Sequence, residues 1–297
     1  MGNHETDAVV RIMHLSRSFG RKEALRDVTI EIRRGQVFGL VGENGAGKTT
    51  LIQHILGAYK AKSGQVRVFG IDPTYDPTAV LSRIGYLSED RDLPTWMRVG
   101  DLMRYMQAFY PNWDETYAER LRDELELPPD QRVRNLSRGE KAKAGLLIAL
   151  AHRPELLLLD EPSSGLDAIA RQDILGAVVR SVAEEGRTVL FSSHLLDEVE
   201  RVSDHVAMLH EGRLTLDMSM DTIKSVHRKY VVRWEEPKTE LPAFPGLIRA
   251  VGGGREWGMI CEGDGRAFSA AVHATQGEIV ESGVPTLEAI FVARASV

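Results

Sequence analysis

Gly42-Glu43-Asn44-Gly45-Ala46-Gly47-Lys48-Thr49 follows the pattern G-x-x-x-x-G-K-[ST], and its flanks decide what that pattern means. Before it, Val37-Phe38-Gly39-Leu40-Val41 is a continuous apolar run, which predicts a buried strand. After it, Thr49-Thr50-Leu51-Ile52-Gln53-His54-Ile55-Leu56 predicts a helix ending near Gly57. A glycine-rich turn between a buried strand and a helix is a phosphate cradle. Its backbone N–H groups converge on anionic oxygens, and the helix N-terminus adds partial positive charge. In such a loop Lys48 reaches the β- and γ-phosphates of a nucleotide, and Thr49 ligates Mg2+.

A nucleotide site also needs an acid for the metal and a group that orients water. Leu156-Leu157-Leu158-Leu159 predicts a second buried strand, and Asp160-Glu161 closes it. Asp160 is the expected Mg2+ holder, directly or through water, and Glu161 the general base or water-positioner.

The wider pattern alternates strands and helices. Short apolar runs and charged turns between Val9 and Gly35 predict a small antiparallel sheet, and Asp101 to Ala151 reads as mostly helical. A turn from Pro162 to Gly165, a long helix to Glu185, a strand at Val189-Leu190-Phe191 and a helix from Leu195 to Val202 follow. This order predicts an α/β fold with a mostly parallel core sheet. Near Met220 the pattern changes: Tyr230 to Trp234 is strand-like, Glu236 to Pro245 loop-like, and Gly252-Gly253-Gly254 a hairpin turn. The expected organisation is one domain over residues 1–220, with a helical subdomain at about 90–152, and a small α+β appendage over 221–297.

Composition narrows the function classes. A net charge of −6 over 297 residues argues against a dominant basic surface for nucleic acid. The single cysteine, Cys261, excludes an internal disulfide or a cysteine cluster for metal, and reads as a small buried hydrophobe in a strand. The most apolar stretch, Leu146 to Leu159, is broken by His152, Arg153, Pro154 and Glu155, so it does not read as a membrane span. No signal pattern precedes Asp7. A cytoplasmic protein is expected, with any membrane role carried by a partner.

Further segments resemble one family, the ATP-binding cassettes of ABC transporters. Leu136-Ser137-Arg138-Gly139-Glu140 resembles the signature LSGGQ, with Arg138 and Glu140 in place of Gly and Gln. Ser163-Ser164-Gly165-Leu166-Asp167 resembles the D-loop, and Phe191-Ser192-Ser193-His194 the switch-histidine segment. Ile84-Gly85-Tyr86-Leu87-Ser88-Glu89 resembles the Q-loop, with Glu89 where Gln is usual. Ser18-Phe19-Gly20 sits where the family places an aromatic on the adenine. The resemblance covers about residues 9 to 215 in the family's order, and implies the P-loop NTPase cassette fold.

It implies a site as well. Phe19 would stack on adenine; Gly42, Glu43, Asn44, Gly45, Ala46, Gly47, Lys48, Thr49 and Thr50 would hold the phosphates. Glu89 would join Thr49 and Asp160 near Mg2+, and His194 would hold Glu161 and the attacking water in line. Ser137, Gly139 and Asp167 would act on nucleotide bound by a second cassette, homodimeric or heterodimeric.

The same resemblance implies a motor that hydrolyses Mg·ATP for separately encoded transmembrane permease subunits, peripheral on the inner face of the cell membrane. Arg91 to Asp114, with Leu93, Pro94, Trp96, Met97, Phe109, Tyr110 and Trp113, lies where the family receives its membrane partner. Phe109 to Asp114 and Pro285 to Val292 look like the exporter branch that includes bacitracin-type antibiotic-resistance motors. An importer motor and a non-transport ATPase acting on ribosomes or DNA are the alternatives.

Overall fold

The computed structural model describes residues 7–90, 92–183 and 186–295; Arg91, Glu185 and the stretch before Asp7 lie outside them. The chain divides into two compact units between Asp217 and Met218.

In the first unit, β1 (Ala8–Phe19) pairs antiparallel with β2 (Lys22–Arg33) on one side and β4 (Ser63–Val68) on the other. The predicted strand at Val9–Ile12 therefore runs on to Phe19. β4 escapes sequence reading because its first three residues, Ser63-Gly64-Gln65, are polar and exposed. The main sheet contains β3 (Val37–Val41), β5 (Ile84–Leu87), β6 (Leu156–Asp160), β7 (Thr188–Ser193), β8 (His205–His210) and β9 (Arg213–Ser219), in the order β5-β6-β7-β3-β8-β9. The pairs from β5 through β8 are parallel. Every residue of β3, β6 and β7 is buried, which is why these strands read as unbroken apolar runs rather than alternating ones.

Helices cover this sheet and build the helical subdomain. α1 (Lys48–Ile55) leaves the glycine loop, and α2 (Pro77–Leu81) is capped by the Asp76 carboxylate, which accepts from Ala79 N–H. α3 (Val99–Gln107), α4 (Glu115–Glu124) and α5 (Arg138–Leu150) fill the predicted helical region. Asp114 caps α4 by accepting from Tyr117 N–H at 2.9 Å. α6 (Ala168–Ala183) and α7 (Leu196–Val202) follow β6 and β7. Met97, expected among partner-facing residues, is instead core, because its position places it under the subdomain with Val99 and Leu102.

The order β6-β7-β3 brings the carboxyl ends of three parallel strands together, the edge at which open α/β sheets bind ligands. The opposite edge is pinned by Glu155, whose carboxylate accepts from Arg83 at 2.6 Å and Arg34 at 2.8 Å. These three residues precede β6, β5 and β3, so one carboxylate ties three strand starts.

The second unit contains α8 (Met220–Val226), β10 (His227–Lys238), β11 (Leu247–Glu262), α9 (Gly265–Ala274), β12 (Gly277–Gly283) and α10 (Leu287–Ala295). Its antiparallel sheet has the order β11-β10-β12. Tyr230, Val232 and Trp234 alternate inward from β10 onto Phe268 and Val272 of α9, and the Tyr230 and Phe268 rings stack at 4.4 Å. β10 continues through Pro237 to Lys238, past the predicted start of the loop at Glu236. β11 folds back on itself at the glycines. Gly246 O accepts from Glu262 N–H at 2.8 Å, and a Cβ on Gly252 would lie 2.5 Å from Glu256 O. Cys261 is buried in β11, and burial pushes its thiol up to about 12, so it is inert as a thiolate.

The Glu155 tie gives the fold a pH signature. Hydrogen bonding to Arg83, then to Arg34, holds its carboxyl down at about 2, against the opposing effect of burial. A depressed carboxyl stabilises fully above its unfolded value and loses that contribution as pH falls toward about 2. Discounted for a side chain 39% exposed, the tie contributes about 1 kcal/mol. Glu155→Gln is expected to lower the denaturation midpoint at pH 7, and the gap to the unmodified protein should narrow as titration proceeds from pH 5 to pH 3.

Candidate functional site

The site begins with what the glycine loop can and cannot hold. Gly45 and Gly47 take φ of 84° and 114°, the left-handed region that glycine enters without penalty. Gly47 has a second reason to lack a side chain: a Cβ there would lie 2.4 Å from Ala24 O on β2. At Gly42 a Cβ would lie 2.3 Å from Leu209 O on β8. The loop is thus pressed against both sheets, with Ala46 buried beneath it.

Lys48 opens α1 with its ammonium buried. It donates to Gly42 O at 2.6 Å and Glu43 O at 3.2 Å, and stands 3.0 Å from Glu161 Oε1. Side chains at 5% and 4% exposure leave this pair little solvent, so each charge depends on the other. The second Glu161 oxygen accepts from His194 Nδ1 at 2.7 Å, which fixes the proton on that ring nitrogen. Glu161 itself holds φ of 49°, unusual for a residue with a side chain. Its N–H donates to Ser192 Oγ at 3.0 Å and to Ser192 O at 3.2 Å, which anchors the turn.

Asp160 lies beside it at the end of β6. Burial pushes its carboxyl up, and hydrogen bonds from Ser192 and Thr49 oppose that. Ser192 Oγ donates to Asp160 at 2.7 Å while accepting from Glu161 N–H, so one hydroxyl orients both acids. Tyr86, on neighbouring β5, feels the same negative surroundings: burial, with Asp160 adding, pushes its hydroxyl up to about 12.

A cleft of about 360 Å3 opens beside Lys48 and Glu161, a size usual for small-ligand pockets, while Gly42, Glu43, Ala46, Asp160 and His194 stand outside its lining. Asn44, Gly45, Gly47, Lys48, Thr49 and Thr50 form its floor; Glu161 and Glu89 line it, and Phe19 stands at 42% exposure among the remaining lining residues. Lys22 and Ala24 line the cleft too. Sequence reading missed them, although Lys22 is a basic residue three positions past Phe19, at the tip of the β1–β2 hairpin. Ser192 was quoted only as a neighbour of His194, because its double contact spans β6 and β7.

The donors fit Mg2+. Thr49 and Glu89 bring oxygen to the cleft, and Asp160, hydrogen-bonded to Thr49, is a buried carboxyl that burial pushes up. Among the described residues, no three His, Cys, Asp or Glu side chains form a complete metal cage.

Ser137, Gly139 and Asp167 do not line this cleft. They form a separate cluster at the start of α5 and α6. Ser137 Oγ accepts from Glu140 N–H at 3.1 Å, and the Glu140 carboxylate accepts from Ser137 N–H at 2.7 Å, a reciprocal cap. A Cβ on Gly139 would lie 2.8 Å from Ala170 Cβ and 3.9 Å from Asp167 Oδ2. Asp167 accepts from Ile169 and Ala170 N–H groups, which holds its carboxyl below the usual range.

A buried lysine in a glycine loop, facing an Asp-Glu pair at parallel strand ends, defines a phosphate-loop nucleotide-binding protein. Comparisons narrow the class. Residues 25–164 match the family model described as ABC transporter. The chain is 34% identical over 224 residues to the ABC transporter ATP-binding protein YtrB of Bacillus subtilis (strain 168), covering 74% of this chain and 75% of that one. It is 30% identical over 225 residues to the bacitracin transport ATP-binding protein BcrA of Bacillus licheniformis, covering 75% and 74%. A solved ATP binding subunit of an ABC transporter superposes with a TM-score of 0.67 at 29% identity, covering 73% of this chain and 92% of that one. The chain belongs to the ABC transporter ATP-binding protein family, and is an ATP-hydrolysing subunit of that kind.

The Ser192 contacts give a directional test. Deleting its hydroxyl removes a hydrogen bond that holds Asp160 down, so the carboxyl rises further. Ser192→Ala is expected to move the acidic limb of the ATPase profile to higher pH, with greater loss at pH 6 than at pH 8. Equal loss at both values would show that the hydroxyl acts otherwise.

Proposed function

We propose that this subunit energises export through separately encoded membrane subunits, and that the residues gathered at the cleft perform its ATP hydrolysis. The observation that carries the chemistry is Glu161, buried at 3% exposure and held between Lys48 and His194.

The proposed roles follow from these contacts. Incoming phosphates compete with Glu161 for the Lys48 ammonium, and the loop N–H groups of Gly42, Glu43, Asn44, Gly45, Ala46, Gly47 and Thr50 receive phosphate oxygens. Glu161, released from Lys48, accepts a proton from the water that attacks the γ-phosphorus, or orients that water. His194 keeps the carboxylate aimed through its Nδ1–H bond. Thr49, Asp160 and Glu89 would hold Mg2+, which neutralises charge on the phosphate oxygens when bound. Phe19 offers its exposed ring to the adenine. Ser137, Gly139 and Asp167 serve nucleotide held by a second cassette, which accounts for their distance from this chain's own cleft.

No helix among the described residues is long and apolar enough to cross a membrane; in this proposal separately encoded membrane subunits supply the spans. Peripheral placement at the inner face of the cell membrane is part of the proposal, supported by the likeness to transporter ATP-binding proteins. Trp96 before α3 and Phe109 after it, at 67% and 61% exposure, with Tyr105 edge-on to Phe109 at 5.1 Å, are exposed aromatics on the helical subdomain suited to such a partner. Export is favoured by the likeness to a bacitracin transport protein. We assign the body up to Met220 to the cassette and the remainder, from Asp221, to an accessory α+β domain.

Glu161→Gln removes the proton acceptor and the Lys48 ion pair but keeps the side-chain shape. Turnover is expected to fall on the order of a hundredfold or more while nucleotide still binds, leaving an ATP-dependent dimer on size-exclusion chromatography. Retention of near-full turnover would move the general-base role elsewhere. Trp96→Ala with Phe109→Ala is expected to leave ATPase activity of the isolated subunit within twofold of normal. Its recovery with the co-expressed membrane subunits should fall sharply; undiminished recovery would place the docking surface elsewhere.

A further inference from the structure

Phe19 is half exposed at the end of β1, where a free ring would swing between rotamers. It is not free. Its ring meets the Tyr59 ring edge-on, with centroids 5.5 Å apart and planes at 63°. The Arg17 guanidinium lies 4.7 Å from the Phe19 centroid and 4.9 Å from that of Tyr59. Neither Tyr59 nor Arg17 lines the nucleotide cleft. Both therefore grip the Phe19 ring from outside the cleft.

Tyr59 is in turn tied to the helix that follows the phosphate loop. Its ring meets His54 edge-on at 5.6 Å, and its N–H donates to Gln53 O at 3.2 Å. His54 is fully buried in α1, with Nδ1 2.8 Å from Thr50 O. A carbonyl only accepts, so Nδ1 carries the proton, and burial pushes the His54 pKa down, which keeps the ring neutral. The neighbouring Arg17 charge acts in the same direction.

We infer that Tyr59 is a positioning residue for the nucleotide base: with Arg17 it fixes the Phe19 ring relative to the phosphate loop, through His54 and α1. The contacts run Thr50, His54, Tyr59, Phe19, joining one residue of the phosphate loop's helix to the ring at the far side of the cleft. Tyr59 thereby sets the span between the base and phosphate subsites without touching nucleotide. The inference rests on the reading of Phe19 as the adenine platform.

Two ligands separate the possibilities: Mg·ATP, which has a base, and Mg·tripolyphosphate, which has none. Tyr59→Ala is expected to weaken Mg·ATP binding about threefold to tenfold, the scale of one or two aromatic contacts, while tripolyphosphate binding stays within twofold. In turnover, KM for ATP should rise with kcat changed less than twofold. Tyr59→Phe, which keeps the ring, should restore both. In the Phe19→Ala background, Tyr59→Ala should cost little more, because it acts through that ring. Equal loss of ATP and tripolyphosphate binding would overturn the inference by showing a general disturbance of α1, as would full additivity of the two substitutions. If Phe19→Ala alone leaves ATP affinity unchanged, the platform reading fails. If Phe19→Ala weakens ATP and Tyr59→Ala does not, only the positioning role of Tyr59 fails.

Discussion

The constraint on which the site depends is that the carboxyl edge of three fully buried strands, β3, β6 and β7, must hold three ionisable groups away from bulk water. Lys48, Asp160 and Glu161 are each at 5% exposure or less. Taking an ion out of water costs several kcal/mol unless partners replace the lost hydration. Here the replacements are specific. Lys48 has two loop carbonyls and Glu161; Glu161 has Lys48 and His194; Asp160 has Ser192 and Thr49. Burial still pushes Asp160 up against the hydrogen bonds from Ser192 and Thr49. A polyanionic ligand accompanied by a divalent cation suits that state. On the proposed reading its anion would substitute for Glu161 at Lys48, and its cation would offset the charge of the two acids.

Backbone geometry is subordinate to this arrangement. Glu161 occupies the left-handed region because β6 must end with Asp160 aimed into the sheet edge and the next side chain turned toward Lys48. The cost of such a backbone, about 1–3 kcal/mol, is met by the paired acceptors at Ser192. Ser192 sits on β7, between β6 and β3, so the sheet order itself supplies the clamp. The glycines of the loop answer to the same edge. They let the backbone close over Leu209 and Ala24, which brings Lys48 within reach of strand β6.

Local chemistry decided what was legible in the sequence. The phosphate loop was legible because its glycines, its lysine and its flanking apolar strand are contiguous, and all act locally. Asp160 and Glu161 were legible for the same reason: two acids close a run of four leucines. β4 was not, because half of it is polar and exposed, and its partner lies some fifty residues away. Met97 read as an interface residue from its aromatic surroundings, whereas the fold turns it inward. Ser192 and Tyr59 show the general limit. Each matters through contacts to residues roughly thirty to forty positions distant, and no spacing rule carries that information. β10 passing through Pro237 is a milder case, a strand end that tolerates a missing donor.

The altered signature shows how two departures can compensate. Glu140 places a carboxylate in the first turn of α5, where it favours the helix and takes the Ser137 N–H. The same charge opposes any phosphate approaching that helix end. Arg138, at the first helical position, is disfavoured by the helix dipole yet restores the charge balance of the segment. Its guanidinium lies against Gly165: a Cβ there would lie 2.3 Å from Arg138 Nη1 and would displace the end of that flexible side chain. Gly165 takes φ of 64°, and it is this backbone that favours glycine there. Relative to a Gly and Gln pair, Arg138 and Glu140 add one positive and one negative charge. The local field at the helix end is thus redistributed rather than inverted, and Ser137 keeps the backbone of a capped helix start.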